Sequence, residues 1–289
     1  MKCGYVALIG KPNVGKSTLL NTILGEKIAI VTEKPQTTRN KIIGIKNTPQ
    51  AQIIFVDTPG IHQPKHKLGQ FMVRQSYEAI DMVDVVVFMV EPKPPEDIEL
   101  AIIERLRKVK KPVILVINKI DMVSKPNLLP IIDLYKDLFP FTEIIPLSAL
   151  KADGLDILIR GLIKLLPEGQ KLYPDEMLTD QAERFMVAEF IREKIIKHTK
   201  QEVPYAVAVE VESWQETENL IRIKANIYVE REGQKIIIIG KNGERLKRIA
   251  TEARVEIENF LGTKIFLEVW VKVRKNWRQK DILLKSLGY

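Results

Sequence analysis

Short apolar runs alternate with amphipathic segments along the first half of the chain. Residues 4–9, 53–56, 113–117 and 143–147 have the length and composition of buried strands. Residues 17–24, 97–110 and 153–166 instead place apolar side chains at helical spacing. Such alternation predicts a mostly parallel sheet covered by helices on both faces. Residues 41–46 and 52–56 predict one antiparallel hairpin at its edge.

The pattern changes after residue 166. Residues 167–175 carry turn-forming residues without periodicity, which is typical of a linker. Beyond them, residues 181–197 predict an amphipathic helix, and residues 205–212, 220–229 and 264–273 predict strands. We therefore expect an α/β domain at 1–168, a linker at 169–180, and a smaller α+β domain with a basic tail at 181–289.

Charge and cysteine content narrow the class of protein. The 289 residues carry a formal net charge of +8, which favours a polyanionic partner. The single cysteine, Cys3, excludes an internal disulfide. No apolar stretch reaches the ~18 residues that a transmembrane helix needs, and the first strand begins without a signal region. These features predict a cytoplasmic protein, and we expect a monomer.

The segment GKPNVGKS at residues 10–17 lies between a predicted strand and a predicted helix. This spacing is typical of a phosphate-binding P-loop, in which backbone N–H groups and the helix N-terminus surround the phosphates. Lys16 is expected to contact the β and γ phosphates, and Ser17 to bind Mg²⁺ through its hydroxyl. An α/β P-loop GTPase domain with a mostly parallel sheet is the predicted fold.

Two further segments are expected near the γ phosphate. Asp57 of the segment DTPG follows a buried strand and is expected to hold a Mg²⁺ water, while Gly60 offers its N–H to the γ phosphate. The loop at residues 34–39 is expected to sense the triphosphate through a threonine hydroxyl on Mg²⁺. Thr37 and Thr38 are both candidates for this role.

The segments NKID at 118–121 and SAL at 148–150 predict that the base of the nucleotide is guanine. The Asp121 carboxylate can accept hydrogen bonds from guanine N1–H and N2–H₂, which adenine lacks, and the Lys119 stem would cover one face of the base. Asn118 is expected to tie this loop to the P-loop, and Ala149 N–H to meet guanine O6. The full predicted nucleotide set is Gly10, Lys11, Pro12, Asn13, Val14, Gly15, Lys16, Ser17, Thr18, Asp57, Thr58, Pro59, Gly60, Asn118, Lys119, Asp121, Ser148 and Ala149, with Lys16, Thr38, Gly60 and Asn13 expected to serve hydrolysis.

In the second domain, the order helix, strand, strand, apolar turn, G-x-x-G, helix and strand resembles a bacterial-type KH domain. The resemblance implies that residues 236–239 form a short helix, although four isoleucines alone favour a strand. It also implies that the G-x-x-G loop clamps single-stranded RNA. The predicted RNA-binding residues are Gly240, Lys241, Asn242, Gly243, Arg245, Lys247, Arg248, Lys272, Arg274 and Lys275.

Together, GKPNVGKS, QTTRN, DTPGI, NKID, SAL and the KH-like domain make essentially the whole chain similar to the bacterial Era GTPases. That resemblance implies a GTP-switched factor of small-subunit ribosome assembly that binds the 3′ end of the small-subunit ribosomal RNA. It also favours Thr38 over Thr37 as the threonine that binds Mg²⁺. Where many GTPases carry a water-orienting glutamine, this chain has Ile61. Related GTPases with asparagine at the position of Asn13 hold K⁺ near the phosphates, and the alternative is that Asn13 only shapes the loop.

Two other hypotheses stay open on the sequence. In one, the C-terminal domain docks on a protein or on the inner membrane surface, using Trp277, Ile282, Leu283, Leu284 and Leu287 or the basic run at 272–280. In the other, the chain is a tRNA-modifying enzyme with a switch domain. This third hypothesis lacks a modification domain with nucleophilic or cofactor-binding residues.

Overall fold

A computed structural model describes all 289 residues, Met1–Tyr289. The chain forms two compact units: one comprises Met1–Val31, Pro35–Lys65 and Gly69–Asp180, and the other comprises Gln181–Tyr289 with Thr32–Lys34 and His66–Leu68. The first unit contains β1 (Lys2–Gly10), α1 (Lys16–Leu24), β2 (Ile42–Asn47), β3 (Ala51–Asp57), α2 (Lys67–Met82), β4 (Val85–Val90), α3 (Asp97–Leu106), β5 (Val113–Ile117), α4 (Lys125–Lys136), β6 (Glu143–Pro146) and α5 (Leu155–Leu165).

The six strands of the first unit form one sheet in the order β2-β3-β1-β4-β5-β6. Only the β2/β3 pair is antiparallel, as the sequence predicts for a hairpin at the edge. Every residue of β3, β4 and β5 is buried, because helices cover both faces of the sheet. Because β3, β1, β4 and β5 run parallel, the carboxyl ends of β1, β3 and β5 lie at one edge of the sheet. The predicted motifs follow these strands at that edge.

The second unit contains α6 (Glu183–His198), α7 (Val203–Ala206), β7 (Ala208–Thr217), β8 (Leu220–Val229), α8 (Glu232–Ile239), α9 (Glu244–Leu261), β9 (Ile265–Val273) and α10 (Asp281–Ser286). Its three-stranded sheet has the order β7-β8-β9, antiparallel and then parallel. The four isoleucines at 236–239 are helical and end α8, so the tertiary context overrides their strand propensity.

Some predicted elements differ from the observed ones. Helix α3 ends at Leu106 rather than at residue 110, and α7 precedes β7 where the sequence predicted a strand from residue 205. Helix α6 is not amphipathic, because its charged residues Glu189, Arg192, Glu193 and Lys194 are buried along with its apolar ones. They can be buried because they pair, as Arg192 Nε does with Glu189 Oε1 at 2.7 Å.

Residues 167–180, which include the predicted linker, form hydrogen bonds with the rest of the first unit. Gly169 N donates to Met1 O at 3.0 Å, and Ile45 N donates to Leu178 O at 2.8 Å. The buried Gln52 side chain donates to Tyr173 O at 2.8 Å. The segment is therefore fixed along β1 and the β2/β3 hairpin. None of the helices combines the length and apolar composition needed to cross a membrane.

Candidate functional site

The P-loop turns directly from β1 into α1, and Lys16 is the first residue of that helix. Lys16 is only 5% exposed, and its Nζ donates to Lys11 O at 2.8 Å and to Gly10 O at 3.3 Å. Burial lowers the pKa of the Lys16 ammonium to about 8, and the nearby Asp57 carboxylate opposes this shift. The loop thus holds a partly desolvated cation, and a phosphate would satisfy its charge.

Asp57, Ser17 and Thr38 meet in one buried cluster. Ser17 Oγ donates to Asp57 Oδ2 at 2.6 Å, and Thr38 Oγ1 lies 2.8 Å from Ser17 Oγ. Asp57 is fully buried, and its Oδ1 has no hydrogen-bond partner. Burial raises the pKa of the Asp57 carboxyl to about 6, although Lys16 and the Ser17 hydrogen bond hold it down. An unpaired carboxylate oxygen beside two hydroxyls matches the oxygen ligands that Mg²⁺ takes.

Asn118 joins the loops that were predicted to surround the base. Its Nδ2 donates to Val14 O in the P-loop at 2.7 Å, and its Oδ1 accepts from Ala149 N at 2.9 Å. The close approach requires glycine at position 15, because a Cβ there would overlap the Asn118 amide. The structure therefore brings three of the predicted segments together through one side chain. The Ala149 N–H, predicted to meet guanine O6, is used here by Asn118.

Asp121 and Lys119 are positioned by partners that their own sequence motif does not contain. Ser148 Oγ donates to Asp121 Oδ1 at 2.6 Å, and this bond fixes the orientation of the carboxylate. Lys119 adopts a positive φ of 67° and forms an ion pair with Glu91, which follows β4. Glu91 is a residue that the sequence analysis missed, and no motif marks it.

Three of the predicted contact residues bond to other parts of the first unit. Thr58 is fully buried, and its Oγ1 donates to Leu8 O at 2.7 Å. Pro59 O accepts from Ser76 Oγ at 2.7 Å, so both residues anchor the loop to the core. Lys11 Nζ pairs with Glu96 at 2.5 Å and Glu99 at 3.1 Å at the start of α3. Its ammonium is therefore directed to α3.

Ile61 and His62, the residues after Gly60, are held by contacts within the first unit. Ile61 is 3% exposed, packs in the core of the first unit, and its N–H donates to Gly10 O at 3.0 Å. His62, which the sequence analysis missed, places Nδ1 at 2.8 Å from Gly60 O. Its Nε2 is buried without a hydrogen-bond partner. Ile61 thus faces the core and cannot orient a water at the phosphates.

In the second unit, the G-x-x-G loop connects α8 to α9. Gly240 and Gly243 have φ values of 72° and 78°, and Asn242 between them has φ of 51°. A Cβ at Gly240 would meet Arg245 Cβ at 2.7 Å, whereas one at Gly243 would point into open space. Lys241, Asn242, Arg245, Lys247 and Arg248 are all exposed. The loop thus presents backbone and cations to solvent at the start of a long helix.

The basic run at 272–280 is more constrained than its sequence suggests. Lys272 Nζ lies 3.4 Å from Glu212 Oε1, and Arg278 pairs with Glu230 at 2.5 Å. The Arg274 guanidinium stacks 4.0 Å from the centre of the Tyr228 ring. Of the predicted RNA-binding residues in this run, Lys275 is exposed and has neither kind of partner. The acids come from β7 and the end of β8, so the run alone could not reveal them.

Several aromatic and apolar residues are placed differently from the sequence hypotheses. Trp277 is fully buried and its Nε1 donates to Ala206 O at 3.0 Å, and Leu284 is 4% exposed. They belong to the core of the second unit, so the apolar edge expected for a docking domain is reduced. Phe266 and Trp270 on β9, which the sequence analysis missed, are instead 51% and 54% exposed.

Comparisons with known proteins agree with this arrangement. Residues 5–119 match the family model described as a 50S ribosome-binding GTPase, and residues 202–278 match that of the KH domain. The chain is 52% identical to the GTPase Era of Ruminiclostridium cellulolyticum, covering 100% of this chain and 97% of the relative. It is 54% identical to the GTPase Era of Geobacter metallireducens, with coverage of 100% and 98%. The chain belongs to the GTPase Era family.

Solved Era structures have the same fold. A crystal structure of Era with MgGDPNP and nucleotides 1506–1542 of 16S ribosomal RNA has a TM-score of 0.97 and 45% identity, covering 100% of this chain and 99% of the other. A single-substitution variant of Aquifex aeolicus Era, crystallised with GDP·AlF₄⁻, gives the same values. The predicted fold class is thereby confirmed: a P-loop GTPase domain followed by a KH domain. As an Era family member, the protein is a GTP-hydrolysing enzyme.

The buried Asp57 predicts a pH dependence of stability in protein freed of nucleotide and Mg²⁺. Because its pKa rises from 3.8 to about 6 on folding, the folded state binds more protons than the unfolded chain between these values. Asp57 therefore lowers the free energy of unfolding as pH rises from about 4 to about 6. Asp57→Asn removes this effect and should be more stable than wild type at pH 7, by about 1–3 kcal/mol, but not at pH 4.

Urea unfolding at the two pH values measures the difference. Asp156→Asn on α5 is the control, because that carboxylate is exposed. A wild type and an Asp57→Asn variant with the same change in stability between pH 4 and pH 7 would contradict the assigned burial effect.

Proposed function

We propose that this protein is a GTP-switched RNA-binding factor that recognises the 3′ end of small-subunit ribosomal RNA and acts in small-subunit assembly. The observation that carries the proposal is that one chain joins a guanine-type pocket to an exposed G-x-x-G loop. An Era 45% identical to it was crystallised with MgGDPNP and nucleotides of 16S ribosomal RNA. We further propose a cytoplasmic monomer, with GTPase, linker and KH domains at 1–168, 169–180 and 181–289.

The guanine preference would come from Asp121. Its carboxylate is an acceptor for two guanine donors, and Ser148 holds it in place through one oxygen. Lys119 would cover the base with its stem, and its ion pair with Glu91 fixes the direction of that stem. Adenine offers no matching donors, so a carboxylate covered by that base would be left unpaired and ATP would be rejected.

For hydrolysis, the residues of this chain would position the triphosphate and neutralise its charge. Lys16 would leave the carbonyls of Lys11 and Gly10 for the β and γ phosphates, and Gly60 would donate its N–H to the γ phosphate. Ser17, Thr38 and Asp57 would hold Mg²⁺ directly or through water. When bound, that ion neutralises charge on the phosphate oxygens. Water orientation must come from groups other than Ile61, since that side chain is buried.

Asn13 would supply a ligand for K⁺ beside the phosphates. Its backbone has φ of 65°, a left-handed conformation that asparagine tolerates, and the residue is exposed. A monovalent cation there would add positive charge where other GTPases use an arginine finger.

RNA would bind at the G-x-x-G loop, where exposed backbone and Lys241 can contact phosphates. Docking on a protein or on the membrane surface is the second candidate. The exposed Ile282 and the exposed aromatic rings of Phe266 and Trp270 favour it, whereas the burial of Trp277 and Leu284 does not. The cationic loop beside a helix N-terminus favours a polyanion, so we place RNA first.

The Asp121→Asn variant tests the guanine assignment. An amide can donate a hydrogen bond, so we expect GTP affinity to fall at least tenfold and xanthosine triphosphate to become the preferred ligand. Competition binding among GTP, ATP and xanthosine triphosphate measures this, with the exposed Asp133→Asn as control. An unchanged preference for GTP would remove Asp121 from base recognition.

The K⁺ assignment predicts a salt-specific rate. Single-turnover GTP hydrolysis by wild type should be faster in KCl than in NaCl at equal ionic strength, because Na⁺ is too small for the same site. Asn13→Ala should lose that difference while keeping the NaCl rate. Equal wild-type rates in the two salts would end the potassium hypothesis.

The Lys241→Asp variant tests the RNA loop. A carboxylate facing a phosphate should weaken binding of a labelled oligonucleotide with the 3′-end ribosomal sequence by about tenfold or more, with GTP affinity unchanged. Lys285→Asp on α10 makes the same charge change elsewhere in the second unit and serves as control. If Lys241→Asp binds the oligonucleotide as tightly as wild type, the G-x-x-G loop is not the RNA site.

A further inference from the structure

The densest basic segment of the chain lies in the first unit, outside both sites described above. Residues 105–111 comprise the last two residues of α3 and most of its connection to β5. Five of these seven residues are lysine or arginine, with no acid among them. We call this segment the basic loop. It lies at the amino end of β5, whereas the NKID segment follows the carboxyl end of that strand.

Partners within the first unit engage three of the five cations. Arg105 pairs with Asp81 at 2.6 Å, and Arg107 Nε lies 3.1 Å from Glu104 Oε1. Lys111 Nζ donates to Asp81 O at 2.6 Å at the end of α2. These bonds fix the course of the basic loop. Lys108 and Lys110 are exposed and form no ion pair, so their charge is available to a partner.

A groove of about 460 Å³ opens beside the basic loop. This volume falls within the range of small-ligand pockets, roughly 300–1,000 Å³. Its lining includes three cationic residues, Arg107, Lys110 and Lys111. The apolar lining residues are Leu106, Val109, Val113, Phe139 and Pro140.

The combination fits a nucleic acid better than a bilayer. Cations around an apolar, partly aromatic concavity suit an unstacked base with its flanking phosphates. A membrane surface requires apolar side chains that project outward into the headgroup region, and here they line a depression. We propose that the basic loop and its groove form a second RNA-binding surface, on the GTPase domain, which takes an unstacked nucleotide and adjacent phosphates of small-subunit ribosomal RNA.

This inference rests on the proposed function for the identity of the RNA, but it uses different residues. Because β5 has five residues, the groove lies roughly 17 Å from the base-reading loop, at about 3.3 Å per residue. Substitutions in the basic loop should therefore leave GTP binding and intrinsic hydrolysis unchanged. They should also leave the KH loop unchanged, so the two RNA contacts can be separated.

The test compares Lys108→Ala/Lys110→Ala with wild type in binding to isolated small ribosomal subunits and to protein-free 16S RNA across a salt series. The slope of log K against log salt is negative, and each lost phosphate contact reduces its magnitude by about 0.7 to 0.9. Two contacts should lower it by roughly 1.4 to 1.8, so the affinity ratio between wild type and variant should shrink roughly tenfold from about 50 to about 200 mM salt. Lys125→Ala/Lys164→Ala removes two other exposed lysines of the first unit and is the control.

Three outcomes would overturn the inference. The first is equal slopes for wild type and variant. The second is a loss of the variant's affinity for intact subunits but not for protein-free 16S RNA. The third, in a parallel assay with vesicles containing phosphatidylglycerol, is a loss of affinity for the vesicles only. The second would assign the surface to a ribosomal protein and the third to lipid. Binding of the 3′-end oligonucleotide is measured in parallel. If wild type does not bind it, while the slope on 16S RNA still differs between wild type and variant, the KH proposal fails and the second surface stands.

Discussion

A single buried amide holds the nucleotide site together. Asn118 is 2% exposed and bonds at once to the P-loop carbonyl of Val14 and to the Ala149 N–H of the SAL loop. Both bonds are made away from water, so losing either would leave a buried polar group unsatisfied, at a cost of about 1–3 kcal/mol. The relative positions of the P-loop, the NKID loop and the SAL loop depend on this contact. Gly15 makes room for the amide, and the bond to Ala149 fixes the SAL loop whose Ser148 holds Asp121.

Next to these loops, Lys16 and Asp57 are buried ionisable groups whose charged forms a bound ligand would stabilise. Burial shifts the pKa of Lys16 down and that of Asp57 up, which means that each ion is less stable here than in water. Their mutual attraction offsets part of this loss, and an Asp57 oxygen stays unpaired. A bound phosphate and divalent cation would stabilise both charges, once Lys16 releases the carbonyls of Lys11 and Gly10 and Ser17 releases Asp57.

The sequence predicted what depends on local motif and period, and missed what depends on partners far along the chain. The P-loop, DTPG and NKID segments lie at strand ends because apolar runs fix those strands. In contrast, Lys119 pairs with Glu91 and Lys272 with Glu212, and no spacing rule connects either pair. Helix α6 shows the same limit, since its charges look solvent-facing until Arg192 and Glu189 are seen to pair inside the second unit. The helical isoleucines of α8 were predicted correctly only through family resemblance.

Pairing also decides which of the many cations of this chain can meet a polyanion. The sequence analysis selected the run at 272–280, yet much of its charge is neutralised by Glu212 and Glu230 or stacked on Tyr228. An ion already paired must give up its partner before it binds a phosphate, so it contributes less to affinity than an unpaired one. Lys108, Lys110 and Lys241 have no such partner. The net charge of +8 therefore indicates only that a polyanionic partner is favoured. The pairing of individual side chains indicates where that partner would bind.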